Sequence, residues 1–222
     1  SLEKGILMEN YPKLGSGSKY YEKLDEYVTE SGLTFDYTKE MTIADFEEII
    51  GENVTLVAEC NFNSLENRKV RESKAIIDGT DFEGNLVRYD GLHQYWNDSS
   101  AEWIYCITYN GHIVKIGMTI TSLEDRYKSY LCGYRSRMDV GSCSTTNFVV
   151  NEVNYAALLS DVKVEIHAIR LDKVKSEVTK FGITKEVTMS VARDYEEMIT
   201  DVFVKHSGHI PVLCKQKGNS TS

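Results

Sequence analysis

The chain has 222 residues, 41% of them hydrophobic, and carries 25 Lys+Arg against 34 Asp+Glu for a net charge of −9. That is globular composition, long enough for a catalytic domain with a smaller companion. It excludes a largely disordered chain, a helix that spans a membrane, since no apolar run approaches 18 residues, and a zinc or disulfide scaffold, since the five cysteines form no C-x-x-C pair.

The first hundred residues hold 10 Lys+Arg against 20 Asp+Glu, and read as an α-rich unit. In SKYYEKLDEYVTESG, residues Tyr20, Leu24, Tyr27 and Val28 fall on one helical stripe that ends at Gly32. TIADFEEIIG offers Thr42 as a cap with Asp45 three residues on, then Phe46, Ile49 and Ile50 on one face before Gly51. NVTLVAECNF reads as a strand, SLENRKVRESKAII as a helix, and DGTDFEGNLVRYDGLHQYW as a turn-rich connection. The start, SLEKGILMENYPK, lacks the apolar core of a signal peptide, and the scattered cysteines read as reduced thiols of a cytoplasmic protein.

The second half holds 15 Lys+Arg against 14 Asp+Glu, which makes it the better place for an anionic ligand to dock. WIYCIT and HIVKIG are short strands around Asn110-Gly111, a strong hairpin signal because both residues tolerate positive φ. Thr121 with Glu124 predicts a capped helix whose apolar stripe is Leu123, Tyr127 and Tyr130, with Arg126 at its border. CSTTNFVVNEVNYAALL predicts a helix over 147–159, DVKVEIHAIRL a third strand through Val162, Val164, Ile166 and Ala168, and VKSEVTKFGITKEVTMSV an extended hairpin with Phe181-Gly182 at its tip. ARDYEEMITDVFVKHSG predicts a last helix with Tyr195, Ile199, Val202 and Phe203 on its apolar arc. The expected fold is α+β: a small antiparallel three-stranded sheet flanked by helices over residues 101–222, with an α-rich subdomain over residues 1–100.

Tyr105 lies five residues before Asn110 and Lys115 five after it, so the two are expected near each other across the turn. Spacing alone also allows a plainer reading, a half-buried strand tyrosine and an exposed lysine. With Arg126 on the next helix, two cations stand beside one tyrosine, an arrangement suited to a phosphate. In the last helix, Glu197 shares a solvated face with Arg193 and Asp201, whereas Glu196 sits among Ala192, Ile199 and Phe203 at the edge of the apolar arc. A carboxylate there is either paired or holds a metal, which favours Glu196.

RYKSYLCGYRSR supplies Arg126, Lys128, Arg135 and Arg137 without an acidic residue and with three tyrosines between them, suited to a phosphate backbone or simply to a solvated loop. Ser144, Thr145, Thr146 and Asn147 suit phosphates and base edges, or simply an ordinary helix cap.

Trp103-Ile104-Tyr105, Lys115-Ile116-Gly117, LEDRYKSYLCG, GSCSTTN and the ending EEMITDVFVKHSGHIPVLC, taken in order, resemble the GIY-YIG nuclease superfamily over about residues 103 to 215. Within it they resemble the small type II restriction endonucleases in which lysine replaces the second signature tyrosine. The resemblance implies a Mg²⁺-dependent (or Mn²⁺-dependent) endonuclease with one ion per active site, acting on double-stranded DNA to leave 5′-phosphate and 3′-hydroxyl ends. It assigns Tyr105 to activation or orientation of the attacking water, Lys115 to lowering the tyrosine's pKa, Arg126 to the phosphate and Glu196 to the metal. A palindromic site implies a homodimer, and a restriction role implies a cognate DNA methyltransferase as partner. A phage or mobile-element nuclease of loose specificity, and a DNA-binding regulator without catalysis, remain on the same fold. The chain departs from the family pattern at Trp103, where a glycine is usual, at Met118 and Tyr130, where some members carry histidine, and after Pro211, where an asparagine often follows.

Overall fold

Asn110 stands at φ 47° and Gly111 at φ 85°, the left-handed backbone that a two-residue hairpin turn requires, and the strands on either side pair antiparallel as expected. In the computed structural model, which describes residues 24–29, 32–63, 85–134 and 143–214, these strands are part of a mixed α+β architecture. The strands in chain order are β1 (Val28–Thr29), β2 (Gly32–Leu33), β3 (Thr55–Phe62), β4 (Val87–Gly91), β5 (Glu102–Tyr109), β6 (His112–Thr119), β7 (Val164–Leu171), β8 (Val174–Lys180) and β9 (Ile183–Met189). The helices are α1 (Ile43–Ile50), α2 (Leu123–Tyr130), α3 (Thr145–Leu159) and α4 (Ala192–Ser207).

One sheet has five strands in the order β4-β3-β7-β5-β6, and β1–β2 and β8–β9 are separate two-stranded sheets. The three expected strands are adjacent in it, as β7, β5 and β6, and two more extend the sheet beyond the expected three. One is β3, whose strand character was plain; the other is β4, hidden because VRYDG lacks apolar alternation. Among the described residues no helix is long and apolar enough to cross a membrane.

The chain divides into two compact units that each draw on both halves of the sequence. The first comprises Ser1–Tyr37, Glu59–Asp90 and Tyr127–Val164; the second comprises Thr38–Ala58, Gly91–Arg126 and Glu165–Ser222. In the first, α3 buries Phe148, Val150, Val153 and Tyr155, and a polar network runs through its middle. The Tyr89 hydroxyl donates to Asn151 Oδ1 at 2.7 Å and accepts from Asn154 Nδ2 at 3.1 Å, so both buried amides have a protein partner. The expected helical stripe does not extend through Val28: among the described residues of this stretch Leu24 and Asp25 are helical, and Val28–Thr29 pair with Gly32–Leu33. Gly32 pairs with Thr29 at φ 118°, a conformation open to glycine and closed to most residues. Tyr20 and the helix expected over 64–77 lie outside the described residues.

In the second unit α4 and α1 pack with the face of the hairpin that carries Ile104, Cys106, Ile113 and Ile116; Phe46, Ile169 and Phe203 complete this core. The caps follow their sequence signals closely. Thr42 accepts from Asp45 N at 3.2 Å to start α1, Gly51 at φ 72° ends it, and Gly208 at φ 83° ends α4. Helix α2 is capped one residue later than expected, by Ser122, whose hydroxyl accepts from Asp125 N at 3.1 Å, while Thr121 instead bonds to Thr119.

A candidate active site on the odd face of a bulged hairpin

The ladder between β5 and β6 does not run straight from the turn. Tyr109 pairs with His112 and Thr108 with Ile113, but Ile107 then pairs with Lys115, leaving Val114 as an extra residue. This is a β-bulge, and its effect is chemical. Without it Lys115 would oppose Cys106 and point to the face opposite Tyr105, because side chains alternate with period two. With it, Tyr105 faces Gly117 and Ile107 faces Lys115, so Tyr105 and Lys115 become diagonal neighbours on one face. Counting five residues on each side of Asn110 thus reaches the right pair only because of a feature the count does not contain.

Gly117 makes room for the tyrosine. A Cβ at Gly117 would stand 2.5 Å from both Cζ and the hydroxyl oxygen of Tyr105, and 2.9 Å from Cε2, so the ring lies flat against bare backbone. The hydroxyl accepts a hydrogen bond from Arg126 Nε at 3.2 Å, from the last residue of this unit's stretch of α2. Tyr105 is 1% exposed and Arg126 half-buried, so this contact stands where solvent competes little.

Lys115 is 7% exposed and donates from Nζ to the Leu213 carbonyl at 3.4 Å. The amide of Leu213 in turn donates to the carbonyl of bulged Val114 at 2.8 Å, so the chain near 213 closes over the edge strand where the bulge leaves it unpaired. Further along that edge, Ile43 N donates to Gly111 O and Ile113 N to Met41 O. The adjoining Cys214 thiol donates to Ile116 O at 3.3 Å. Burial pushes this thiol's pKa up, the Lys115 ammonium and the Ile116 contact hold it back, and the Glu196 carboxylate adds to the rise. Cys214 therefore feels both Lys115 and Glu196.

On α4, Glu196 is half-buried and Glu197 exposed, with Ile199 packed on the core. The N-terminus of this helix has no cap of its own, since Val191 offers no side-chain acceptor. Glu102 supplies it: its Oε2 accepts from both Val191 N and Ala192 N at 2.9 Å, and the residue is 3% exposed. The carboxylate also complements the positive end of the helix dipole. Sequence reasoning passed over Glu102, although a lone carboxylate opening an apolar run was a visible signal. Glu102→Ala is expected to destabilise the protein by about 1–3 kcal/mol, with Glu102→Gln recovering part of the loss through its remaining carbonyl; urea midpoints of the three proteins check this.

The remaining sequence candidates lie apart from this cluster in kind. Ser144 caps α3, accepting from Asn147 N at 3.1 Å, and the Asn147 amide donates to Ser129 O at 3.0 Å, so both side chains serve the local fold. Thr145 and Thr146 are half-buried in the first turn and Lys128 is exposed on α2. Arg135 and Arg137 lie outside the described residues.

Among the described residues no group of three or more His, Cys, Asp or Glu side chains could hold a metal between them. That donor set does not suit zinc, which takes a closed cage of protein ligands. Mg²⁺ keeps several waters and takes one or two carboxylates together with phosphate oxygens; the half-buried Glu196 is a single carboxylate on α4.

No protein-family model matches the chain, and no curated protein matches it. Several solved structures are similar to it. One is the restriction endonuclease HPY188I in complex with product DNA, 24% identical, with a TM-score of 0.48 over 82% of this chain and 90% of that one. Another is a point mutant of the bacteriophage T4 protein EndoII, 16% identical, with a TM-score of 0.43 over 74% of this chain and 95% of that one.

Proposed function

We propose that this protein is a Mg²⁺-dependent endonuclease that hydrolyses double-stranded DNA at a short specific site, a type II restriction endonuclease working as a homodimer with a companion methyltransferase. The observation that carries the reading is the buried Tyr105 hydroxyl, bonded to Arg126, bedded on Gly117 and sharing its face with Lys115. A tyrosine held this way has a geometry fixed before substrate arrives, which is what proton transfer to or from an attacking water requires.

In the reading, the Lys115 ammonium favours the phenolate over the phenol by opposite charge. The Tyr105 oxygen orients the water and takes its proton as the water oxygen bonds to phosphorus. Arg126 turns its guanidinium toward the scissile phosphate and meets the charge that grows on the non-bridging oxygens. The bond from phosphorus to the 3′-oxygen breaks, leaving a 5′-phosphate on one product and, after protonation, a 3′-hydroxyl on the other. Glu196 would hold the metal, which when bound supplies charge neutralisation at the phosphoryl group and leaving oxygen.

Incubation with unmethylated DNA of phage length and Mg²⁺, followed by end mapping, tests this. Discrete fragments with 5′-phosphate ends, absent with Tyr105→Phe and Glu196→Gln, are expected. A smear would replace the site-specific reading with that of a nuclease of loose specificity. Binding without cleavage under Mg²⁺ or Mn²⁺ would leave a DNA-binding regulator and end the enzyme reading.

A further inference from the structure

The chain makes the same two-residue turn twice and fills it differently. At 110–111 the left-handed positions hold Asn and Gly, the residues that tolerate them at least cost. At the tip of the β8–β9 hairpin they hold Phe181 at φ 54° and Gly182 at φ 75°. A bulky aromatic side chain in the left-handed region is strained, and this one gains no burial in return: Phe181 is 91% exposed. Burial does not reward phenylalanine there.

The surroundings of Phe181 point to an anionic partner. From Thr179 to Lys185 the tip carries Lys180 and Lys185 and no acid. Lys180 Nζ stands 5.4 Å from the Phe181 ring centroid, and the hydroxyls of Thr179 and Thr184 meet across the strands at 2.8 Å. The hairpin's acids, Glu177 and Glu186, face each other one step further from the tip, and Glu186 is paired with Lys175 at 2.9 Å. Lys180 pairs in register with Ile183, which is 68% exposed, so an apolar flank adjoins the cationic one.

We propose that β8–β9 is a DNA-probing arm: the two-stranded ribbon enters a groove of the duplex, Lys180 and Lys185 bind phosphates, and Phe181 wedges into a base step. A β-ribbon fits the major groove, and apolar wedges that unstack bases are a general device of proteins that bend DNA. The proposal rests on the DNA-cleaving reading above and adds to it a contact remote from the hydrolytic residues in sequence and role. An isolated hairpin is marginal in water, and a bound duplex supplies the support that a third strand gives elsewhere.

The test measures affinity for a labelled linear duplex in Ca²⁺, and permanganate reactivity of unstacked thymines along the same DNA. The variants are Phe181→Asn and the double change Lys180→Ala with Lys185→Ala. Asparagine suits the turn better than phenylalanine, so Phe181→Asn keeps or raises the melting temperature, and any loss of binding cannot come from an unfolded arm. It is expected to bind about 10-fold more weakly and to lose the permanganate signal, with the salt dependence unchanged. The double lysine variant is expected to flatten the slope of log affinity against log salt by about 2. If wild type binds and cuts DNA and both variants match it, the arm proposal is wrong while the nuclease reading stands. If the variants instead drop to a smaller oligomer in sedimentation velocity with DNA affinity per protomer intact, the arm is a contact between copies and the proposal is overturned. Wild type that neither binds nor cuts ends both.

Discussion

Tyr105→Phe is expected to lower the single-turnover cleavage rate by about 10²–10⁴-fold while leaving DNA affinity in Ca²⁺ unchanged. The substitution removes one oxygen from a ring that is already 1% exposed and seated against Gly117, so shape and packing persist. Arg126 Nε loses that acceptor, at a cost to stability of about 0.5–1.5 kcal/mol. The separation matters more than the size of the loss. A rate that falls with affinity intact assigns the hydroxyl to the transition state, whereas equal losses in both would assign it to holding DNA. A Tyr105→Phe enzyme that cuts at the wild-type rate would remove this hydroxyl from the mechanism.

Gly117→Ala is expected to inactivate the enzyme by more than about 100-fold and to destabilise it by about 1–3 kcal/mol, although the change adds only one methyl group to the chain. The new Cβ meets Tyr105 Cζ and its hydroxyl at 2.5 Å, a separation that real contacts do not tolerate. The atoms it meets belong to a buried ring, which cannot swing aside as the end of a lysine could. Relief must come from displacing the phenol, which breaks its alignment with Arg126, or from opening the ladder at the Tyr105–Gly117 pair. Thermal unfolding together with cleavage rates checks both parts; wild-type kinetics would show that the ring's position is not what the reaction uses.

Much of the fold was legible because its signals are local. Asn110-Gly111 marked the hairpin, Thr42 and Gly51 bracketed α1, and the apolar arc of α4 ran through Ile199 and Phe203. What escaped was set by tertiary context. Strand β4 carries Arg, Asp and Gly, so it takes its conformation from its neighbour in the sheet rather than from its own pattern. Tyr27 and Val28 had helical spacing, but Val28 instead pairs with Leu33 across two short strands. Glu102 drew no reading from the sequence and is a cap for a helix about 90 residues away in sequence. For the candidate site, the residue types of Tyr105, Lys115 and Arg126 were readable in order. The bulge that puts the first two on one face was not, since an extra residue such as Val114 is apolar like its neighbours and carries no mark of being unpaired.

The Val114 bulge also makes the site sensitive to length in a way it is not sensitive to identity. Loss of Ile116 would let the ladder close without a bulge, keep Tyr105 opposite Gly117 and turn Lys115 to oppose Cys106 on the other face, although Tyr105, Lys115 and Arg126 would all still be encoded; loss of Val114 itself would leave Lys115 opposite Ile107. The arrangement is thus written in the spacing of the strand as much as in its letters.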